Sequence, residues 1–170
     1  GEFKQLIKYG RPFVLGHDLS GIVVGVGSEV TDFQVGDEVY ARPRDLRIGA
    51  FAEQIAIDAD DVALKPKSLS FEEAAAVPLV ALAAWQALVD VADLKPGQKV
   101  LVHAGAGGLG STVVQVAKHL GAHVATTVHT VDVDRARTLG ADEIIDFTQQ
   151  DFTQVVSGYD VVLDSLGPAS

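Results

Sequence analysis

Two different patterns of hydrophobic and polar residues divide the chain. From Val14 to Lys65, short runs rich in β-branched residues are separated by turns that contain Gly and Asp, which is typical of strands joined by tight connections. After Lys99, short apolar runs alternate with longer segments of helical periodicity. Such alternation predicts a parallel sheet whose strands are joined by helices. The sequence therefore predicts an all-β region followed by an α/β region.

The first region and the segment after it contain local signals for individual elements. Strands are expected at residues 21–26, 38–41 and 53–57. Ser70 is followed three residues later by Glu73, which is the spacing of a capping box at a helix N-terminus. The alanine-rich stretch up to Val91 favours a helix, and Pro78 should break or kink it.

The second region alternates between the two kinds of element. Strands are expected at 99–103, 123–128, 143–147 and 161–166, and helices at 109–120 and 133–139. Gly121 and Gly140 each follow a helical apolar stripe, where a residue of positive φ commonly ends the helix. The fold class predicted from these elements is α/β with a Rossmann-type parallel sheet.

Charge and composition limit the functions that are plausible. The chain of 170 residues has 13 basic and 23 acidic residues, a net charge of −10 and no cluster of Lys or Arg, so nucleic acid is an unexpected partner. It has no cysteine, which removes disulfides and thiolate metal sites. No signal pattern begins at Gly1 and no run of about 18 apolar residues offers a membrane span. A soluble cytoplasmic protein without a membrane partner is expected.

The segment Gly105-Ala106-Gly107-Gly108-Leu109-Gly110 follows a predicted strand and opens a predicted helix. This is the context in which Gly-x-Gly-x-x-Gly binds a dinucleotide. Gly105 is expected to allow the tight turn, Gly107 to let the backbone approach a pyrophosphate, and Gly110 to allow close packing of the helix. The N–H groups at the helix N-terminus then bind the phosphates. The alternative is that these glycines only form a tight turn.

The end of the next strand bears on the choice between NADH and NADPH. An NAD site usually has Asp or Glu at this point to bind the ribose 2′-hydroxyl. Residues 125–131 contain neither, and the first acidic residue after the strand is Asp132. The absence of an acid at this point favours NADP(H). Thr127 and His129 are candidates to donate hydrogen bonds to the 2′-phosphate, and Arg135 is a further candidate on the following helix.

Several motifs in one order resemble the medium-chain dehydrogenase/reductase superfamily, and in particular its zinc-independent quinone oxidoreductase and alkenal/enone reductase branch. The motifs lie at residues 15–21, 35–39, 49–53, 78–85, 94–97, 105–110 and 139–142. The resemblance implies part of a GroES-like β-rich catalytic domain at residues 1–68 and part of a Rossmann dinucleotide-binding domain at residues 69–170. It also implies an internal segment of a longer enzyme.

The resemblance further implies what the intact enzyme does. The expected reaction is hydride transfer from NADPH to a quinone or an α,β-unsaturated carbonyl, which is a small-molecule substrate, in an enzyme that forms a homodimer. Tyr40 is a candidate proton donor or wall residue of the substrate site. Residues expected to contact the nicotinamide or its ribose are Val77, Pro78, Ser165, Leu166 and Gly167. Ala83 stands where the family has a threonine that contacts the nicotinamide.

Zinc is the main question that the resemblance raises. His17-Asp18 resembles the His-Glu pair that supplies a zinc ligand in alcohol dehydrogenases, but Leu79 stands where those enzymes have a cysteine ligand. One histidine does not make a catalytic zinc site, so no metal is predicted and His17 is expected to be a structural residue with a hydrogen-bonded ring. A zinc-type alcohol dehydrogenase relative and a non-catalytic NADP(H)-binding module that senses redox state or has a structural role are the alternatives.

Overall fold

The structure is a computed structural model that describes residues 13–44 and 48–167. The chain divides into two compact units between Leu79 and Val80. The first contains an antiparallel sheet and the second a parallel sheet with helices, so the predicted fold class is confirmed. The domain boundary after residue 68 stays a prediction.

The first unit is built on a three-stranded antiparallel sheet. Its strands are β1 (Leu19–Ile22), β2 (Glu38–Ala41) and β3 (Val62–Leu64), in the order β1-β2-β3. Ser20 lies opposite Tyr40, and Tyr40 lies opposite Ala63, so these three side chains share one face of the sheet. On that face the Ser20 hydroxyl donates to the carbonyl of Phe71.

Two of the predicted strands in this unit differ from the structure. The strand expected at 21–26 is β1, which ends at Ile22. Val23 still pairs with the backbone of the 36–37 turn, through hydrogen bonds of 2.9 Å, but Gly36 at φ +100° turns the chain away there. The strand expected at 53–57 is irregular, because no described strand pairs with it and alternation alone does not make a strand.

The segment between the two sheets forms two short α-helices followed by a π-helix. α1 (Phe71–Ala75) begins with the predicted capping box, in which the Ser70 hydroxyl accepts from Glu73 N–H and the Glu73 carboxylate accepts from Ser70 N–H. Pro78 breaks the helical stretch as expected and is the first residue of α2 (Pro78–Trp85), where its missing N–H is harmless. Residues Gln86–Val91 continue as a π-helix, which the sequence pattern did not predict.

The second unit is a four-stranded parallel sheet, with its strands in the order Glu143–Asp146, His123–Val128, Lys99–His103 and Val161–Leu163. Gly121 and Gly140 follow the two helices with φ values of +82° and +96°, as predicted. The last strand ends at Leu163 rather than at residue 166. The elements are β4 (Lys99–His103), α3 (Gly108–His119), β5 (His123–Val128), α4 (Val133–Thr138), β6 (Glu143–Asp146) and β7 (Val161–Leu163).

Both faces of the parallel sheet are covered by apolar side chains. On one face, valines of β4 and β5 pack against α3, and Val100, Val102 and Val113 are fully buried. Burying a valine stabilises a fold by about 1.5–3 kcal/mol. On the other face, Leu101 packs with partly buried residues that include Phe152. Because both faces of the sheet are buried, the ends of its strands are held in place. The candidate site is built from these strand ends and the loops that follow them. Of the helices in the described ranges, none is both long and apolar enough to cross a membrane.

Candidate nucleotide-binding site

The loop between β4 and α3 makes its tight turn at an alanine. Ala104 has φ +54°, a left-handed conformation that is uncommon for a residue with a side chain. Its carbonyl accepts a hydrogen bond of 2.9 Å from Gly107 N–H. The expectation that Gly105 provides the turn is therefore corrected, because the left-handed residue is Ala104.

Gly105 and Gly110 are required by close contacts. A Cβ at Gly105 would lie 1.9 Å from Thr126 Oγ1, and one at Gly110 would lie 2.2 Å from the Ala104 carbonyl oxygen. At Gly107 the nearest contact would be that carbonyl oxygen at 3.2 Å, whereas a Cβ at Gly108 would meet nothing within 4 Å. The loop thus packs tightly against the strand on one side and stays open at the helix N-terminus.

The N-terminus of α3 has the features of an anion site. Gly107 is its N-cap and supplies no side-chain hydrogen bond, and the first turn contains no acidic residue. The first N–H groups of a helix lack partners within the helix, and the helix dipole adds a partial positive charge. Gly108, Leu109 and Gly110 therefore present backbone donors to a phosphate, while Leu109 also packs against the core.

The two residues expected at the 2′-phosphate have very different environments. Thr127 is only 3% exposed, and its hydroxyl is engaged with Ala104 N–H at 3.3 Å and with His103 Nδ1 at 3.0 Å. Its predicted contact with a phosphate therefore has no geometric support. His129 is exposed, and its ring meets the edge of Phe147 with 5.9 Å between centroids.

A carboxylate lies beside His129 at the end of β6. Hydrogen bonds from Thr130 and Thr148 lower the pKa of Asp146, and the charge of His129 adds to this effect. The Thr130 hydroxyl donates its one proton to Asp146 at 2.6 Å, so this hydroxyl has no proton left to donate to a phosphate. His129 is exposed and can carry a positive charge, and Arg135, the other candidate, is exposed on α4.

Parallel pairing brings further predicted residues to the same edge of the sheet. β7 pairs with β4, so Ser165, Leu166 and Gly167 follow the strand next to the glycine loop. Leu166 is 70% exposed, and its N–H donates to Asp164 at 2.8 Å. Gly167 has φ +80°. The glycine loop, His129 and this turn therefore share the carboxyl-terminal edge, which is where open α/β sheets bind ligands.

The remaining predicted residues belong to the first unit. Tyr40 is partly buried on the α1 side of the antiparallel sheet, and its hydroxyl has no hydrogen-bond partner among the described residues. Val77 lies between α1 and α2, and Pro78 is the first residue of α2. Asp18 holds this turn, because its Oδ1 accepts from Leu79 N–H at 2.9 Å.

The environment of His17 differs from the prediction. Its Nδ1 is buried without a hydrogen-bond partner, so the expected hydrogen-bonded ring is not found at that nitrogen. The preceding Gly16 has φ +101° and lies so close to Phe51 that a Cβ would come within 2.7 Å of its ring. Across residues 13–44 and 48–167 no group of three or more His, Asp or Glu side chains is placed to hold a metal ion.

Sequence reasoning missed three residues behind the loop. Ala104, Thr126 and His103 fix its shape through the contacts described above. The only sequence signal for them is a pair of threonines inside an otherwise apolar strand, since buried polar side chains are found hydrogen-bonded.

Comparison with known proteins agrees with this geometry. Residues 2–67 match the alcohol dehydrogenase GroES-like domain, and residues 108–170 match the zinc-binding dehydrogenase family. The chain belongs to the medium-chain dehydrogenase/reductase superfamily.

Relatives within this superfamily carry several names. The chain is 43% identical to 2-methylene-furan-3-one reductase of Solanum lycopersicum and 41% identical to NADPH-dependent alkenal/one oxidoreductase, chloroplastic, of Arabidopsis thaliana. In both cases 92% of this chain covers 42% of the relative. It is also 46% identical to polyketide synthase GfsB of Streptomyces halstedii, where 93% of this chain covers 3% of that protein.

Solved structures of the superfamily have the same fold. The quinone oxidoreductase from Coxiella burnetii matches with a TM-score of 0.85 and 34% identity, over 98% of this chain and 52% of that one. CurK enoyl reductase matches with a TM-score of 0.84 and 32% identity, over 98% and 52%. The chain thus spans about half or less of the length of these superfamily members.

Proposed function

We propose that the protein containing this chain is an NADPH-dependent oxidoreductase that transfers hydride to a quinone or an α,β-unsaturated carbonyl without zinc. The observation that carries the proposal is the open glycine N-terminus of α3 at the carboxyl edge of a parallel sheet. The names of the tomato and Arabidopsis relatives support the reaction class.

The phosphates would be bound by backbone groups. The N–H groups of Gly108, Leu109 and Gly110 donate to the pyrophosphate, and the absence of acidic side chains in the first turn of α3 leaves the helix dipole unopposed. Gly107 allows close approach because it carries no Cβ. In this proposal the glycine loop binds and orients the cofactor and takes no part in bond making.

The choice of NADPH depends on His129. A protonated imidazole beside the ribose attracts a 2′-phosphate, and the exposed position of His129 makes it available. The carboxylate of Asp146 opposes this by repelling the phosphate, and it already accepts hydrogen bonds from Thr130 and Thr148. We therefore expect a preference for NADPH that weakens when His129 is replaced by alanine.

Reduction of an enone needs a hydride and a proton. Bound NADPH supplies the hydride to the β-carbon of the acceptor. The resulting enolate is protonated at the α-carbon, and we assign that proton to Tyr40 or to a water molecule that it holds. The free hydroxyl of Tyr40 supports this assignment, because no described side chain competes for it. Val77 and Pro78 would pack against the nicotinamide, and Ser165, Leu166 and Gly167 would border its ribose.

The experiment is NADPH oxidation by the full-length protein with enones and quinones, in parallel with Tyr40→Phe. Stoichiometric loss of NADPH with formation of the saturated carbonyl or the quinol supports the proposal. Y40F is expected to lower kcat with enones more than with quinones, because a quinone oxygen takes protons directly from water. Cofactor binding without turnover of any acceptor would instead favour the non-catalytic module.

Enoyl reduction on a polyketide synthase is the second candidate. It is favoured by the 46% identity to GfsB and by the structural match to CurK enoyl reductase. An α,β-unsaturated thioester is reduced by the same hydride and proton steps, so the site residues keep their roles. Faster turnover of an enoyl thioester than of the matching free enone would favour this candidate, and the reverse would favour the first.

We also propose a cytoplasmic location and a homodimer for the intact protein. The homodimer follows from the family resemblance, and the absence of cysteine supports a reducing compartment such as the cytoplasm. Light scattering on the purified full-length protein measures the assembly, and cell fractionation measures the location.

A further inference from the structure

A threonine behind the glycine loop contacts two successive residues of that loop. The Thr127 hydroxyl accepts from Ala104 N–H at 3.3 Å, and the Thr127 carbonyl accepts from Gly105 N–H at 3.3 Å. Thr127 lies opposite His103 in the pairing of β4 with β5. It is 3% exposed, so water does not compete for these two bonds.

These bonds hold a residue that would not adopt its conformation unaided. Ala104 at φ +54° is in the left-handed region, which is disfavoured for alanine because of its Cβ. The Ala104 carbonyl in turn accepts from Gly107 N–H and lies against Gly110. The orientation of Ala104 therefore decides where the N-terminus of α3 points its donors.

His103 fixes the direction of the threonine hydroxyl. A hydroxyl has one proton and two acceptor sites, and one acceptor site is used by Ala104 N–H. His103 Nδ1 forms the second hydrogen bond of this hydroxyl at 3.0 Å, and the tautomer of the ring decides which of the two groups donates. The ring is held in place by an edge contact with Phe152, with 4.7 Å between centroids.

We propose that Thr127 is a positioning residue for cofactor binding, which holds Ala104 in the left-handed conformation and thereby aims the phosphate-binding N–H groups. This inference rests on the proposed function, since it concerns the same site. It replaces the predicted role of Thr127 as a direct ligand of the 2′-phosphate. The effect reaches the cofactor only through the loop, so it should be the same for NADPH and NADH.

The test compares variants of the full-length protein by titration with NADPH. Thr127→Val keeps the shape of the side chain and removes the hydroxyl, and we expect about tenfold weaker binding because a buried N–H loses its partner. Thr127→Ser keeps the hydroxyl and should bind within about twofold of the wild type. Thr138→Val, whose hydroxyl bonds to a carbonyl within α4, is the matched control and should leave the affinity unchanged.

A double variant tests the left-handed residue directly. Glycine adopts positive φ without strain, so Ala104→Gly should make the threonine less necessary. The loss of NADPH affinity caused by T127V is expected to be clearly smaller in the A104G background than in the wild type. The effects of the two substitutions are then not additive. Equal losses in both backgrounds, or weak binding by T127S, would overturn the proposal. So would unchanged binding by T127V.

Amide hydrogen exchange on the unliganded wild type keeps the inference testable if T127V does not fold. The N–H groups of Ala104 and Gly105 should exchange more slowly than those of Gly108 and Leu109, and equal rates would contradict the inference. Because this measurement needs no cofactor, it tests the hydrogen bonds from Ala104 and Gly105 to Thr127 even if the wild type binds no nucleotide. If the wild type binds no nucleotide, the proposed function is refuted, whereas the hydrogen bonds of Thr127 are tested separately by the exchange rates.

Discussion

The contact between Gly110 and the Ala104 carbonyl gives a quantitative prediction for Gly110→Ala. The added Cβ would lie 2.2 Å from that carbonyl oxygen, whereas ordinary contact begins near 3.4 Å. The helix and the loop must therefore separate by roughly 1 Å. Overpacking of this kind costs about 1–3 kcal/mol, and the better helix propensity of alanine returns up to about 1 kcal/mol. The net loss of unfolding free energy should therefore lie within about 0–3 kcal/mol, with a central value of about 1.5 kcal/mol.

The same shift moves the phosphate-binding N–H groups, so G110A should also bind NADPH at least about tenfold more weakly. Urea unfolding and NADPH titration measure the two effects. Gly108→Ala is the matched control for stability, because a Cβ there meets nothing within 4 Å, and it should not be destabilised. A G110A protein as stable and as tight in binding as the wild type would refute this reasoning. Equal destabilisation of G108A would show that the clash is not the cause.

Three further predictions concern other parts of the chain. His129→Ala should reduce the preference for NADPH over NADH by about three- to tenfold, as measured by paired titrations; an unchanged ratio would exclude His129 from the 2′-phosphate site. Partial burial acts to raise the pKa of Asp142, but hydrogen bonds from Lys118 and a backbone N–H outweigh it and lower that pKa below 3.8. Its stabilising effect is therefore present above about pH 4 and lost as pH falls below that value, so Tm should fall less between pH 5 and 3 in D142N than in the wild type. Asp18→Ala removes the acceptor of Leu79 N–H at the start of α2 and should cost about 0.5–2 kcal/mol in thermal unfolding, whereas D18N, which keeps an acceptor, should cost less.

The parallel sheet could be predicted well because its signals are local. Apolar strands, helical periodicity and the glycines after α3 and α4 each act within a few residues. The antiparallel sheet was harder, since a strand needs a partner as well as a pattern. The alternating residues 53–57 remain irregular because no described strand pairs with them. The π-helix at Gln86–Val91 has no sequence signal that distinguishes it from an α-helix.

The position of the candidate site was predictable, but its inner geometry was not. The glycine motif between a strand and a helix located the loop correctly. The left-handed turn falls on Ala104, although glycine is the residue that the pattern leads one to expect there. Thr127 is predicted to contact the ligand because it lies near the end of β5, but its side chain is buried and bonded to the glycine loop. Which face a strand residue occupies depends on register, which the sequence alone did not determine.

The central claim is that the loop at Gly105–Gly110 and the end of β5 bind the phosphates and ribose of NADPH. Paired titration of the full-length protein with NADPH and NADH tests it most directly. We predict saturable binding of both nucleotides by the wild type, with tighter binding of NADPH than of NADH, and affinities for the two that lie closer together in H129A. Binding of neither nucleotide would contradict the site, and tighter binding of NADH would contradict the assignment of the 2′-phosphate.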